Sequence, residues 1–217
     1  GTVSDDCTFT ISYVDVLGST TCPYVVTRTY TVTDPCLNVT ECDQVITIDD
    51  TTNPLITAPD DISLEACIAD ATTVTAGNAG FAYSETEVTL DAAGVTTFLA
   101  LTGTSITEAC DYTVTYIDSQ TGDCPWIITR LYTITDACAN TTNDTQTITV
   151  DDTTAPTVMC PSNITVEGCD ESEITNGSLT NLVYSTSSVT ITEAQFIAEG
   201  GTVSDDCTFT ISYVDVL

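Results

Sequence analysis

Cysteine is the residue type in this chain with the most chemistry to offer, because eleven cysteines occur among 217 residues. Two series share nearly the same spacing: Cys7, Cys22 and Cys36, and Cys110, Cys124 and Cys138. A zinc site would need histidines or CxxC pairs, and the chain has neither. This cysteine content therefore predicts disulfides formed in an oxidising extracellular compartment, with buried free thiols as the alternative.

The cysteine spacing belongs to an internal repeat. Residues 1–17 return unchanged as residues 201–217, and residues 7–36 align with residues 110–138 at an offset of 102 or 103. We predict a tandem array with a 200-residue period and units of about 100 residues. On this register, 1–50 is the C-terminal half of one domain, 51–152 is a complete domain, and 153–217 is the N-terminal part of the next.

The elements that must position the cysteines are strands. In residues 24–33 and 126–135, apolar, aromatic and arginine side chains take one parity and mainly threonines take the other. The same period of two occurs at 9–13, 112–116, 148–150 and 164–166. It predicts an all-β chain of tandem immunoglobulin-like antiparallel β-sandwich domains of about 100 residues, stapled by disulfides. Only residues 192–201 read as helical, with Thr192 as N-cap.

The disulfide partners are predicted from the order of the cysteines within one repeat. Six positions exist, represented in order by Cys160, Cys169, Cys207, Cys22, Cys36 and Cys42. The 51–152 domain has Ala58 and Asp144 at the first and sixth positions, which suggests that these two positions pair with each other. The fourth and fifth bracket a strand about 33 Å long, whereas bonded cysteines need Cα atoms about 5.5 Å apart.

The third and fifth positions lie at the same end of a predicted hairpin, which leaves the second for the fourth. We therefore predict the disulfides Cys7–Cys36, Cys110–Cys138 and Cys67–Cys124. The remaining cysteines are expected to pair with residues outside this segment: Cys22, Cys42, Cys160, Cys169 and Cys207.

Arg28 and Arg130 are the only basic side chains, occupy equivalent positions and share the apolar parity. Asp15 and Asp118 have the inward parity on the neighbouring strand. We interpret these residues as structural ion pairs, with the guanidinium groups able to stack on tyrosine. A contact with an anion or a glycan is the alternative.

Acidic residues crowd the predicted joints between domains, at Asp49, Asp50, Asp151 and Asp152. Carboxylate oxygens at a joint can bind calcium, although the spacing matches no EF-hand loop. The alternative is a solvated turn, for which aspartate is well suited. No other cofactor is predicted.

Several residues are candidates for glycosylation. Asp-Thr-Thr at 50–52 and 152–154 places candidate O-linked sugars on Thr51 and Thr153. Sequons for N-linked sugar occur at Asn38, Asn140, Asn143, Asn163 and Asn176, but a threonine-rich chain produces such sequons by chance.

The charge of the chain excludes several classes of function. Two basic and 32 acidic side chains give a formal net charge of −30, so nucleic acid is not an expected partner. Without histidine or lysine, much acid–base and all Schiff-base chemistry is excluded, and we predict no catalytic residue and no enzyme. No apolar run approaches the roughly 18–20 residues of a membrane span, and no signal peptide is present.

Four segments carry a resemblance to a known family: 22–36, 42–54, 151–169 and 204–207. They resemble hyalin-repeat (HYR)-like and related immunoglobulin-like tandem repeats of very long extracellular surface or fibre proteins of Bacteroidetes-type bacteria, including gliding-associated adhesins. The chain departs from that pattern after the fifth cysteine, where Leu37–Asn38 and Ala139–Asn140 replace the usual glycine and asparagine. The resemblance implies an extended array outside the cell and implies no catalysis.

We therefore expect a structural repeat unit of a secreted fibre or very long cell-surface protein, forming a rigid, protease-resistant and glycosylated filament. Its expected partners are further copies of the same repeat and glycans. The alternative is an adhesin whose repeats themselves bind glycan or a partner surface. A binding module would present tyrosines or Trp126 on loops, whereas a spacer would bury them.

Overall fold

The computed structural model describes residues 1–67, 71–165, 167–169 and 181–216, which form two compact units. The first contains Gly1–Asp61, Ser84–Ser119 and Thr129–Thr147, and the second contains the described residues of Ile62–Tyr83, Gln120–Ile128 and Ile148–Leu217. These units do not follow the domain boundaries predicted at 50/51 and 152/153, because each combines residues from successive sequence repeats. Val166 and Asn176 lie outside the described residues.

The described chain is mostly β. The strands are β1 (Thr10–Ser19), β2 (Tyr24–Thr33), β3 (Val39–Ile48), β4 (Leu55–Thr57), β5 (Ile62–Glu65), β6 (Val88–Thr89), β7 (Ser105–Thr107), β8 (Tyr112–Thr121), β9 (Trp126–Asp136), β10 (Thr141–Asp151), β11 (Thr157–Met159), β12 (Val189–Ile191), β13 (Thr202–Ser204) and β14 (Ile211–Tyr213). The helices are α1 (Ala71–Asn78), α2 (Ala92–Ala100) and α3 (Glu193–Ala198).

In the first unit, β1, β2 and β3 form an antiparallel sheet. Its register places Asp15 opposite Arg28 and runs from Tyr24 opposite Ile48 to Thr33 opposite Val39. The same unit holds neighbouring segments of β10, β9, β8 and β6, in that order, and the antiparallel pair β4–β7. Phe98 of α2 packs on Tyr132 of β9 with ring centroids 4.9 Å apart, and both side chains are fully buried.

In the second unit, β5 pairs in parallel with the last residues of β10, from Ile62 opposite Ile148 to Glu65 opposite Asp151. Its core is a cluster of buried apolar residues from several elements: Ala79, Trp126, Ile128, Ile148 and Val150. Two short antiparallel pairs, β11–β13 and β12–β14, complete the described part of this unit.

Equivalent strands of the two repeats differ sharply in burial. Val114 and Tyr116 of β8 are 0% and 5% exposed, whereas their counterparts Ile11 and Tyr13 of β1 are 53% and 59% exposed. The alternation that buries one face of β8 and β9 therefore also occurs in β1 and β2, where large apolar side chains remain in contact with solvent. Such an exposed apolar face is unusual for a complete domain.

The helix predicted at 192–201 is confirmed as α3. Its N-cap Thr192 and Gln195 form a reciprocal capping box. The prediction that no other helix occurs is wrong, since α1 and α2 are also present. Helix α2 contains Gly94 and two threonines of low helix propensity, and it depends on the cap Asp91 and on buried Phe98. No helix in the described ranges is long and apolar enough to cross a membrane.

Candidate functional site

The core of the first unit contains a buried arginine–aspartate centre. Arg130 Nε of β9 donates to Asp118 Oδ1 of β8 at 2.7 Å, and Arg130 Nη2 donates to Asp118 Oδ2 at 2.8 Å. Both side chains are 0% exposed. Arg130 Cζ lies 4.7 Å from the centroid of the Tyr116 ring, so the guanidinium both pairs and stacks.

The environment of this centre keeps Arg130 charged and Tyr132 neutral. Burial by itself would lower the pKa of Arg130, but the hydrogen bonds and the charge of Asp118 outweigh it and raise that pKa overall. Burial raises the pKa of Tyr132 to about 12. The centre therefore holds one cation against one anion, with a protonated phenol beside them, at neutral pH.

The first repeat contains a second copy of this centre. Arg28 Nε and Nη2 donate to Asp15 Oδ1 and Oδ2 at 2.7 and 2.8 Å, and Arg28 Cζ lies 4.5 Å from the Tyr13 ring centroid. The hydrogen bond between them raises the pKa of Arg28 and lowers that of Asp15. The two side chains are 30% and 38% exposed, unlike those of the second repeat. The structure thus brings together both predicted ion pairs, in a structural arrangement.

The repeated segment contains a third equivalent aspartate, Asp215, which makes a different part of the contacts of Asp118. In the complete centre, Asp118 also accepts from Ser84 N at 2.9 Å, and its own N–H donates to Ser84 O. Asp215 makes the same two contacts with Ser185, each at 2.7 Å. Asp15 and Asp215 stand in identical sequences, so they divide between them the contacts that Asp118 makes alone. Sequence reasoning missed the serines, whose contacts are made by backbone groups.

The strands divide in the same way. Strand β8 lies between β6 and β9 and pairs with β6 through Val88 and Tyr116. Strand β14 pairs with β12 through Val189 and Tyr213, whereas β1, of the same sequence, pairs with β2. The two copies of the repeated segment therefore each make one of the two pairings that β8 makes at once.

The disulfides are Cys22–Cys138 and Cys67–Cys207, with Cα atoms 4.9 and 5.3 Å apart. The predicted pairs Cys7–Cys36, Cys110–Cys138 and Cys67–Cys124 are therefore wrong. Each predicted pair lies within one repeat, whereas both disulfides join a cysteine to a different position of the following repeat. Cys22 and Cys207, expected to pair outside this segment, are bonded within it. All eleven cysteines are described, and seven keep free thiols: Cys7, Cys36, Cys42, Cys110, Cys124, Cys160 and Cys169.

The fifth cysteine of each repeat lies in a turn that sequence reasoning also missed. Leu37 and Ala139, which follow Cys36 and Cys138, both have φ of 67°. Asn140 donates to Asp136 through its backbone and side chain, and this contact lowers the pKa of Asp136. Glycine usually takes such a left-handed position. Because leucine and alanine stand there instead, the sequence does not indicate the turn.

The four acidic residues of the joints do not form one site. Asp50 groups with Glu108 and Cys110, Asp152 groups with Asp205 and Cys207, and Asp49 lies beside the Cys22–Cys138 disulfide. Asp151 Oδ1 accepts from the Cys124 thiol at 3.3 Å. Calcium takes six to eight oxygen ligands, so the two carboxylates of each group do not complete a calcium site. A hydrogen bond to Asp50 raises the pKa of the Cys110 thiol and keeps it protonated.

The candidate glycosylation residues differ in accessibility. Thr51, Thr153, Asn38, Asn143 and Asn163 are exposed, and Asn140 is half-buried. The side-chain nitrogens of Asn38 and Asn140 already donate to Asp34 and Asp136, at 2.6 and 2.8 Å. Thr153 Oγ1 likewise donates to Glu65 Oε2 at 2.8 Å. The exposed candidates without such a side-chain hydrogen bond in the described chain are Thr51, Asn143 and Asn163.

Comparison with known proteins does not assign this chain to a family. Neither a protein-family model nor a curated protein sequence matches it.

Proposed function

We propose that this chain is a structural repeat unit of an extracellular fibre or very long cell-surface protein, built from tandem immunoglobulin-like β-sandwich domains. The observation that carries the proposal is the division of contacts between residues 1–17 and 201–217. One copy makes the Arg28 and β2 contacts, and the other makes the Ser185 and β12 contacts. In a tandem array, the two copies are one segment that makes both sets, as β8 does.

The exposed face of β1–β3 supports the same proposal. Its counterpart on β8 and β9 is covered within the first unit by residues such as Phe98. In an array, residues 181–200 of the preceding period would occupy that position over β1 and β2. This occupant is specified by the sequence itself, because the segment identical to 1–17 follows it directly.

The aromatic side chains favour a spacer over an adhesin. Trp126 is 9% exposed, its ring centroid lies 5.0 Å from that of Tyr83, and its Nε1 donates to Gln120 at 2.6 Å. Tyr116 and Tyr132 are also buried. A glycan-binding module would leave such rings available on loops. The proposed unit is a spacer rather than an enzyme. It acts outside the cell, where its disulfides persist and Thr51 and Thr153 carry sugar.

A length series tests this function. Chains of one, two and four periods, each ending in residues 1–17, are prepared, and their maximum dimension is measured by X-ray scattering and electron microscopy. A fibre repeat gives a dimension that grows in proportion to the number of periods, with one axial repeat per 200 residues. Growth with roughly the 0.38 power of chain length, which is typical of a compact particle, would overturn the proposal.

A glycan array probed with the two-period chain distinguishes the adhesin. A spacer gives no specific binding. Binding to a defined glycan that the substitution Trp126→Ala abolishes, without loss of folded structure, would favour the adhesin instead.

A further inference from the structure

We propose that the seven free cysteines form disulfides between successive 200-residue periods. These disulfides would cross-link each period of the array to the next. The inference rests on the proposed tandem array. It deepens that proposal by assigning the partner of each thiol.

The two disulfides in the structure define two pairing rules. Cys22 is the fourth cysteine of its repeat and bonds Cys138, the fifth cysteine of the next repeat. Cys67 is the second cysteine of its repeat and bonds Cys207, the third cysteine of the next. Both bonds therefore run forward by one repeat.

Moving the two rules along the array assigns five of the seven thiols. Cys124 is a fourth cysteine, and its partner is Cys36 of the following period. Cys169 is a second cysteine, and its partner is Cys110 of the following period. Cys7 has the same sequence around it as Cys207, so it bonds Cys67 of the preceding period.

The local structure around these thiols matches that of their bonded counterparts. Cys36 precedes a residue with φ of 67°, as bonded Cys138 does. Cys110 N donates to Glu108 at 2.7 Å, and bonded Cys207 N donates to Asp205 at 2.7 Å.

Cys124 and its counterpart Cys22 also share their surroundings. Cys124 Sγ lies 3.3 Å from Asp151 Oδ1, and bonded Cys22 Sγ lies 3.4 Å from the equivalent Asp49 Oδ1. Cys36, Cys110 and Cys124 therefore have the local surroundings of cysteines that are bonded in the neighbouring repeat.

A third rule assigns the remaining two thiols. Cys160 and Cys42 are first and sixth cysteines. In the 51–152 repeat, these positions are held by Ala58 and Asp144, and Ala58 N donates to Asp144 Oδ2 at 2.8 Å. Because the two positions are adjacent within one repeat, Cys160 bonds Cys42 of the following period, which belongs to the same repeat.

The three rules use every cysteine once. Residues 1–200 contain ten cysteines, and the rules join them into five disulfides per period: Cys22–Cys138 within a period, and Cys67–Cys7, Cys124–Cys36, Cys169–Cys110 and Cys160–Cys42 across to the next. No cysteine is left over and none is claimed twice.

Each new bond requires an oxidant. Two thiols lose two protons and two electrons and form one sulfur–sulfur bond. A disulfide-bearing oxidant such as oxidised glutathione accepts them by thiol–disulfide exchange and leaves as two thiols.

The test uses a chain in which residues 1–200 are followed directly by residues 1–217, folded in a glutathione redox buffer and isolated as a monomer. Free thiols are counted by mass spectrometry after alkylation, and disulfides are mapped after cleavage at acidic residues. The rules predict seven free thiols in both this chain and the 217-residue chain, because each added period adds only paired cysteines. They also predict Cys124 of the first copy bonded to Cys36 of the second.

Two matched variants sharpen the result. Cys124→Ser in the first copy should release a thiol at Cys36 of the second copy and leave the other disulfides intact. Cys124→Ser in the second copy, which no repeat follows, should break no disulfide.

Pairing of Cys7 with Cys36 or of Cys110 with Cys138, or a free-thiol count that rises with each period, would overturn the inference. The disulfide map is independent of the length series. Correct pairs in a compact particle would refute only the fibre, and linear growth with other pairs would refute only the disulfide rules.

Discussion

At the scale of single residues, the two arginines show that the same sequence pattern can contribute differently to the free energy of unfolding. Arg28 and Arg130 make hydrogen bonds of equal length to their aspartates, but only Arg130 is out of contact with water. A buried ion pair is costly to break, because the remaining partner becomes an unpaired charge in a poorly polar environment. An exposed pair leaves its partner solvated.

Replacement of the arginines tests this difference. We expect Arg130→Gln to lower the free energy of unfolding by about 3–5 kcal/mol, since Asp118 is left buried without its cation. The matched control Arg28→Gln should cost clearly less. Urea unfolding followed by the fluorescence of Trp126 measures both. Equal losses for the two variants would contradict the structural role assigned to the buried centre.

The left-handed turn after the fifth cysteine gives a second prediction at this scale. Ala139 has φ of 67°, a conformation that costs a residue with a Cβ about 1 kcal/mol and glycine almost nothing. Ala139→Gly is therefore expected to raise the free energy of unfolding by up to about 1 kcal/mol. Ala137→Gly is the control, because Ala137 does not have a positive φ and should lose stability instead. A destabilised Ala139→Gly protein would refute the assignment of strain.

At the scale of elements, equivalent strands are equal in sequence pattern and unequal in packing. Ile148 and Val150 of β10 are fully buried, whereas Ile48 of β3, the counterpart of Val150, is 62% exposed. A strand can therefore form and pair in register before its apolar face is covered, because hairpin pairing is local to the chain.

Truncation of these isoleucines measures the difference. We expect Ile148→Ala to cost about 2–5 kcal/mol, through lost burial and a cavity. Ile48→Ala should change the stability of this chain by no more than about 0.5 kcal/mol. In the chain of two periods, Ile48→Ala in the second copy should become more costly, since the preceding period covers it. An unchanged cost there would argue against that cover.

These elements also show which features the sequence could reveal. Parity alone places Asp15 and Arg28 on the same face of neighbouring strands, since a period of two is a local property of the sequence. The disulfides are not local: Cys22 and Cys138 are 116 residues apart, and Cys67 and Cys207 are 140 apart. No strand pattern links such positions across repeats. Helix α2 was hidden for a different reason, since tertiary burial of Phe98 compensates for its poor helix propensity.

At the scale of the whole molecule, electrostatics is almost entirely repulsive. The chain carries 32 acidic groups, and its two basic side chains each pair with an aspartate. Net charge of one sign destabilises a folded chain through self-repulsion, and salt screens that repulsion.

Added salt is therefore expected to stabilise this protein. Raising sodium chloride from about 10 to about 300 mM shortens the Debye length from about 30 Å to well below 10 Å. This change should raise the melting temperature. Each kcal/mol gained corresponds to about 2–4 °C for a chain of this size. Calorimetry in both buffers measures the shift, with sucrose of equal osmolality as control. A melting temperature that falls with salt would show that the ion pairs outweigh the repulsion.

The identity of residues 1–17 and 201–217 has a consequence for inheritance. Recombination between two copies of the segment would delete or insert one 200-residue unit and leave an unaltered segment at the point of exchange. The residues at the point of exchange, including Asp15 and the neighbouring cysteines, would then contact the same partners as before. The gene could thus lengthen or shorten its product in whole units, without any compensating mutation.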